Sequence, residues 1–141
     1  MASSHKSKTV ATLLAAIFGG AGIHRFYLYG RRDVWAWVHF ASLPLSAVGI
    51  FAGSSLAPAF SIFLTAPLII SVLASLLEAL ILGLTPDTKW DARYNQHSGR
   101  QSDSKWPLAI ILILTLASGA AGLIFVLSRT FDLIYTGGAY G

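Results

Sequence analysis

The stretch VWAWVHFASLPLSAVGIFAGSSLAPAFSIFLTAPLIISVLASLL, residues 34–77, runs for 44 consecutive positions without Asp, Glu, Lys or Arg, between Asp33 and Glu78. A bilayer hydrocarbon core about 30 Å thick takes about 20 apolar residues per helix, so this stretch holds two crossings. Residues 34–53 are predicted as one span and 59–84 as the next. Gly53, Ser54, Ser55 and Pro58 supply the reversal between them. Trp35 and Trp37 stand at the entry of the first, where an aromatic belt belongs. Pro67 removes one backbone donor from the second and predicts a kink that membrane helices tolerate.

Working outward, a second uncharged run, residues 106–128, is 23 long and holds a further span opened by Trp106 and Pro107. Residues 10–23 are apolar and rich in small side chains. Their 14 positions reach only about 21 Å at 1.5 Å each, which makes this segment a marginal span. Residues 85–105 form the one extended polar segment. Thr85-Pro86-Asp87 reads as a helix start there, and Trp90 and Tyr94 fall four apart, predicting a short surface helix followed by a loop over 96–104. Arg129 and Asp132 are spaced to pair across one further turn before a Gly-rich tail.

The composition agrees: 55% of residues are hydrophobic and 11% charged, against about 25% charged in soluble domains. The expected fold is an all-α polytopic integral membrane helical bundle, with about four hydrophobic helices, the first short, plus the surface helix. Zero cysteines exclude disulfides, thiolate metal sites and cysteine nucleophiles. His97 has no second histidine at metal-binding spacing, and no G-x-S-x-G elbow, H-E-x-x-H or phosphate-cradling glycine loop occurs. No enzymatic activity, catalytic residue, cofactor or metal is expected. The net charge of +4 does not indicate nucleic acid, because the basic residues flank apolar runs, where they set orientation or meet anionic headgroups.

Orientation follows from the Lys and Arg count on alternate sides. Four crossings with the N-terminus inside place only Lys6, Lys8 and Arg129 in the cytoplasm, a disfavoured arrangement. With the N-terminus outside, Arg25, Arg31, Arg32, Lys89, Arg93, Arg100 and Lys105 are cytoplasmic. If the first segment dips in and returns, Lys6 and Lys8 join them and Arg129 alone lies outside. Both surviving arrangements put loops 24–33 and 85–105 on the cytoplasmic side of the cell membrane. Signal-peptide cleavage near Gly20 and Gly22 would force the Arg-rich loop outside, so the N-terminal segment is expected to be retained.

The residues from Lys8 to Gly30 resemble the TM2 domain family. The resemblance rests on Lys8, the small-apolar helix 11–18, the cluster Gly19-Gly20-Ala21-Gly22-Ile23, then His24-Arg25-Phe26-Tyr27-Leu28, Gly30 and a Trp-containing second helix. It covers about the first third of the chain, and implies two transmembrane helices joined by a short cytoplasmic motif loop. His24 stands where many relatives carry Asp, Tyr29 intrudes before Gly30, and two further hydrophobic segments follow. The expected division is a TM2-like unit over 1–53, a third helix within 54–84, a cytoplasmic polar loop over 85–106, and a fourth helix with its tail over 107–141. The resemblance implies no enzymatic activity.

The candidate motif loop is Gly19, Gly20, Gly22, His24, Arg25, Phe26, Tyr27 and Gly30. Its glycines suit either a packing or oligomer face, since Ala15 with Gly19 and Ala16 with Gly20 have small-xxx-small spacing, or a helix that ends and turns. Ser118 and Gly122 repeat that spacing in the last span. Arg25 reads either as an interfacial anchor or as a bidentate ligand for a carboxylate or lipid phosphate. Glu78 lies about 9 Å from the polar end of its helix, and His39 at similar depth on the preceding one. A carboxylate there is costly unless neutral or paired, so Glu78 is expected to meet His39, Arg25 or both. Such a cluster serves as a register-fixing clasp, a protonatable path or a lipid headgroup site. The leading expectation is a non-enzymatic interaction or assembly module, a homo-oligomer or a partner of another membrane protein. The alternative is a small transporter, channel or lipid-handling protein using Glu78, His39 and Arg25.

Overall fold

The computed structural model describes residues 5–51 and 58–140, with side chains from residue 63 onward in the helix that begins at Pro58. The order is α1 (Lys8–Phe18), a single 3-10 turn (Gly19–Ala21), α2 (Ile23–Tyr29), α3 (Val34–Phe51), α4 (Pro58–Leu84), α5 (Asp87–Tyr94) and α6 (Trp106–Thr136). Among the described residues, three helical stretches are long and apolar enough to cross a membrane: Val34–Phe51, Phe63–Leu84 and Trp106–Thr136. The predicted reversal at Gly53, Ser54 and Ser55 lies outside the described residues.

The N-terminal segment is a hairpin that enters and leaves at one end of the bundle. Ser7 caps α1, its hydroxyl accepting from the Val10 amide. At the mouth, Lys8 Nζ donates to the Thr85 carbonyl at 2.9 Å and pairs with Asp87. The 11 residues of α1 and the three of the turn descend about 22 Å. At the tip, Ser71 Oγ donates to the Gly20 carbonyl at 2.8 Å. Helix α2 then climbs back, so that Tyr27 Oη accepts from the Ser7 amide at 2.9 Å and Tyr29 Oη meets Tyr94 Oη at 2.8 Å. Residues 24–33, expected as a loop, therefore include a helix, and the apolar run before them reverses beside Ser71, partway along α4.

The turn needs glycine. Gly22 has φ of 73°, and a Cβ there would fall 2.5 Å from the Ala36 carbonyl oxygen. A Cβ on Gly19 would lie 2.3 Å from that of Ser75, so the hairpin presses against α4 at a distance no side chain allows. Lower in steric demand but similar in effect, Gly83 lets Thr12 of α1 and Leu112 of α6 reach α4 together.

The bundle is built with its small and polar residues inside. On α3 the buried positions are Ala36, His39, Ser42, Ser46 and Gly49, and on α4 they include Ser71, Ser75 and Ala79. Val38, Val48, Ile50, Ile70, Leu77 and Ile81 face outward. In lipid, apolar side chains gain little by leaving their surroundings, and helices associate by close approach and hydrogen bonding. Ser46 Oγ donating to the Leu64 carbonyl at 3.1 Å is one such bond. Helix α4 continues through Pro67, and α6 runs 31 residues, beyond the expected end near Ser128, carrying Arg129 Nη1 to Asp132 Oδ2 at 2.5 Å.

The surface helix exists, but its aromatic face is turned onto protein. Trp90 is fully buried, packs with Ala11 and Leu28 beside Tyr27, Leu82 and Tyr94, and donates Nε1–H to the Lys6 carbonyl at 2.9 Å. On α6, Gly119 faces Leu76 and Gly122 faces Leu73, both on α4, while Ser118, Ala120 and Ala121 stay exposed.

Candidate functional site

The hairpin brings together four ionisable side chains, two from α2, one from α4 and one from the residue just before α3. Arg25 of α2 is central. Its Nη1 donates to Glu78 Oε1 of α4 at 2.8 Å, and its Nε to Asp33 Oδ2 at 2.7 Å. The second carboxylate oxygen of Glu78 meets Nε2 of His24, which is 1% exposed. Asp33 also accepts from the Ala36 amide at 3.0 Å, capping the start of α3. One residue thus fixes both the guanidinium and the helix entrance. The Arg25 hydrogen bond holds the Asp33 carboxyl below the usual carboxylate range, against the opposing effect of burial.

His39 is placed differently from the expectation. Its Nδ1 lies 2.6 Å from Ser71 Oγ. Because the Ser71 hydroxyl proton is directed to the Gly20 carbonyl, Nδ1 must carry the proton and donate. His39 reaches the cluster only through its ring, edge-on to His24 at 5.9 Å between centroids. The structure brings Arg25 to Glu78, gives His39 to Ser71, and adds His24 and Asp33. A signal for this was present: on α3 His39 precedes Ser42 and Ser46, and on α4 Ser71 and Ser75 precede Glu78, at spacings of three and four that mark one helical face.

The rest of the motif serves packing. Phe26 stacks edge-on against Trp37 at 5.2 Å, while Trp37 Nε1 donates to the Arg31 carbonyl at 2.8 Å. Gly30 ends α2 with φ of 78° and open space around it. The glycine cluster that suited an oligomer face is used within the chain, by Ser75, Val72 and Ala36.

A second network closes the mouth. Asn95 Oδ1 accepts from the Lys6 amide at 2.8 Å, its Nδ2 donates to the Lys6 carbonyl at 3.1 Å, and Lys6 Nζ bonds the Leu28 carbonyl. Burial works against the charge on Asp87, but hydrogen bonds from Lys8 and Ser104 outweigh it and hold the carboxyl below its ordinary range. Asp91 is shifted the same way, desolvation being outweighed by Asn95 and Ser102. Burial, with the Tyr29 hydrogen bond, pushes the Tyr94 phenol up, so it remains an O–H group throughout the physiological range.

Above the Arg25–Glu78 pair lies an open cavity of about 220 Å³ between α2, α4 and α5, lined by Arg25, Tyr29, Glu78, Ile81, Arg93 and Tyr94 among others. Arg93 Nη2 is 3.5 Å from Tyr29 Oη, and its guanidinium carbon lies 5.4 Å from the Tyr94 ring.

The long apolar helices and their inverted interior define a helical membrane protein. Residues 4–53, about the first third of the chain, match the family model of the TM2 domain. No curated protein and no solved structure matches the chain.

Proposed function

We propose that this protein is a non-enzymatic membrane module whose TM2 hairpin braces a basic platform at one end of the bundle for interaction with partners. One observation carries the reading. Both carboxylate oxygens of Glu78 and three nitrogens of Arg25 are engaged by Arg25, His24, Glu78 and Asp33. Charges satisfied in this way fix register and resist the movement that an ion or proton path requires.

Lys6, Lys8, Arg25, Arg31, Arg32, Lys89, Arg93, Arg100 and Lys105 gather at the hairpin mouth, against Asp33, Glu78, Asp87, Asp91 and Asp103, while Arg129 and Asp132 lie toward the other end. By the positive-inside rule this platform faces the cytoplasm of the cell membrane. The hairpin glycines that suited self-association are occupied internally by Ser75, Val72 and Ala36, so the platform is the better supported place for a partner than the hairpin face. Liposome flux and crosslinked co-purification test the reading together. A stable co-purified partner lost on charge reversal of Arg31 and Arg32, with no Glu78-dependent flux, supports it. Proton or ion flux abolished by Glu78→Gln overturns it in favour of the transporter alternative.

A further inference from the structure

The cavity and a separate groove share one stripe of α4. Ile81 lines the cavity, and Leu77, Ala74 and Ile70, spaced four, seven and eleven residues before it, line an apolar groove of about 540 Å³ between α4 and α6. The groove's opposite wall includes Leu116 and Ala120. Ile81, Leu77 and Ile70 are all well exposed, so the stripe is open along its length from the polar mouth inward.

The mouth carries positive charge. Arg93 has no carboxylate within ion-pair distance among the described residues, whereas Glu78, the only acidic residue lining the cavity, is bound on both oxygens by Arg25 and His24. Beside that guanidinium stands the Tyr29–Tyr94 hydroxyl pair, Tyr29 Oη lying 3.5 Å from Arg93 Nη2 and 2.8 Å from Tyr94 Oη, so that one O–H of the pair is left to donate. A guanidinium with an adjoining O–H donor suits a phosphate, which accepts charge-assisted hydrogen bonds. Its depth, in the last two turns of α4, is that of headgroups.

We propose that this stripe seats one anionic phospholipid, its phosphate between Arg93 and the hydroxyls of Tyr29 and Tyr94, and one acyl chain along Ile81, Leu77 and Ile70 into the groove. A water-soluble phosphate would use only the mouth. The joining of a cationic mouth to an apolar track on one helix stripe favours a lipid. The assignment stands independently of the platform role, because it concerns a ligand held within a single chain.

The test is native mass spectrometry of the full chain in dodecyl maltoside, titrated with phosphatidylglycerol, phosphatidylcholine or glycerol phosphate. Expected is one tightly held phosphatidylglycerol per chain, preferred over phosphatidylcholine and not displaced by glycerol phosphate. Arg93→Gln should weaken it about tenfold, the loss typical of a charge-assisted hydrogen bond. Ala120→Phe, which fills the groove, should weaken it without altering the melting temperature, and Arg100→Gln in the exposed loop should leave it unchanged. Equal retention by wild type and Arg93→Gln, or several lipids bound without a first tight one, means annular lipid only and overturns the proposal. Displacement by glycerol phosphate means a phosphate site only, and also overturns it.

Discussion

Ser71 Oγ donates to the Gly20 carbonyl at 2.8 Å while lying 2.6 Å from His39 Nδ1, so one hydroxyl of α4 holds the hairpin tip and a histidine of α3. His39 and Ser71 are both buried. Ser71→Ala removes the partner of the histidine N–H and leaves the Gly20 carbonyl only the longer contact from Ser42 Oγ at 3.5 Å. The expected loss is about 1–3 kcal/mol, read as a lowered melting temperature in detergent. Ser71→Thr, which keeps the hydroxyl, should recover part of it; equal melting of wild type and Ser71→Ala would show the bond contributes nothing.

The glycines should separate into steric classes. Gly22→Ala combines positive φ with a clash on the Ala36 carbonyl, and Gly19→Ala meets Ser75, so both should destabilise by more than about 2 kcal/mol or prevent folding. Gly30→Ala carries only a backbone penalty of about 1–3 kcal/mol, since φ 78° with ψ −171° is essentially a glycine conformation and nothing lies within 4 Å. Gly122→Ala, whose Cβ would make ordinary contact with Leu73 at 3.5 Å, should be nearly neutral. Thermal melting of the four variants checks the order, and a Gly122 variant less stable than the Gly19 variant would contradict the packing described.

Removing the charge on Glu78 tests the clasp. Glu78→Gln leaves Arg25 with Asp33 alone and weakens the bond to His24. Breaking a buried pair costs about 3–5 kcal/mol, and the 30% exposure of Glu78 reduces this to about 1–3. Melting should fall while liposomes carrying the variant show the same ion permeability as wild type. Unchanged melting removes the clasp.

Much of this was legible beforehand. The absence of charge over 34–77 and 106–128 identifies three crossings, because no soluble fold leaves such lengths unpunctuated. The Arg25–Glu78 encounter followed from the cost of an unpaired carboxylate at that depth. The hairpin return did not follow, since α2 has no side-chain cap at its N-terminus and docks against Ser7, Glu78 and Tyr94. His24 was visible as a motif residue but its partner was not. Linear spacing does not report which of two histidines, one on α2 and one on α3, a turn at Gly22 will swing toward α4. The inward aromatic face of α5 was hidden for a similar reason: Trp90 at a polar boundary reads as a lipid anchor until the N-terminal arm is found lying over it.

Acid should release that arm. Asp87 and Asp91 have carboxyls held below their unfolded value of about 3.9 by Lys8, Ser104, Asn95 and Ser102. A depressed folded pKa contributes stability that is present above the unfolded value and lost as pH falls through the folded one. The arm should therefore stay docked at neutral pH and detach below about pH 4. With Trp35, Trp37 and Trp106 replaced by Phe, the emission of Trp90 should shift to the red across that window. Asp87→Asn should show a partial shift already at pH 7, and an emission unchanged down to pH 2 would rule the carboxylates out.

The hairpin itself is tested by sidedness. The native chain has no cysteine, so each one introduced reports alone. His5 lies beside Ser98, Lys8 beside Thr85 and Asp87, and at the end of α2 Tyr27 meets Ser7 and Tyr29 meets Tyr94, which requires the N-terminus, the loop after α2 and the loop after α5 to share one side of the membrane. Cysteines at positions 4, 32 and 97 should react with an impermeant maleimide only after cells are opened, and one at position 138 should react in intact cells. A chain whose first segment crossed the membrane would label at position 4 from outside while 32 and 97 stayed protected. That single reversal would return α1 to a spanning helix, and with it would go the mouth that joins Lys8 to Asp87.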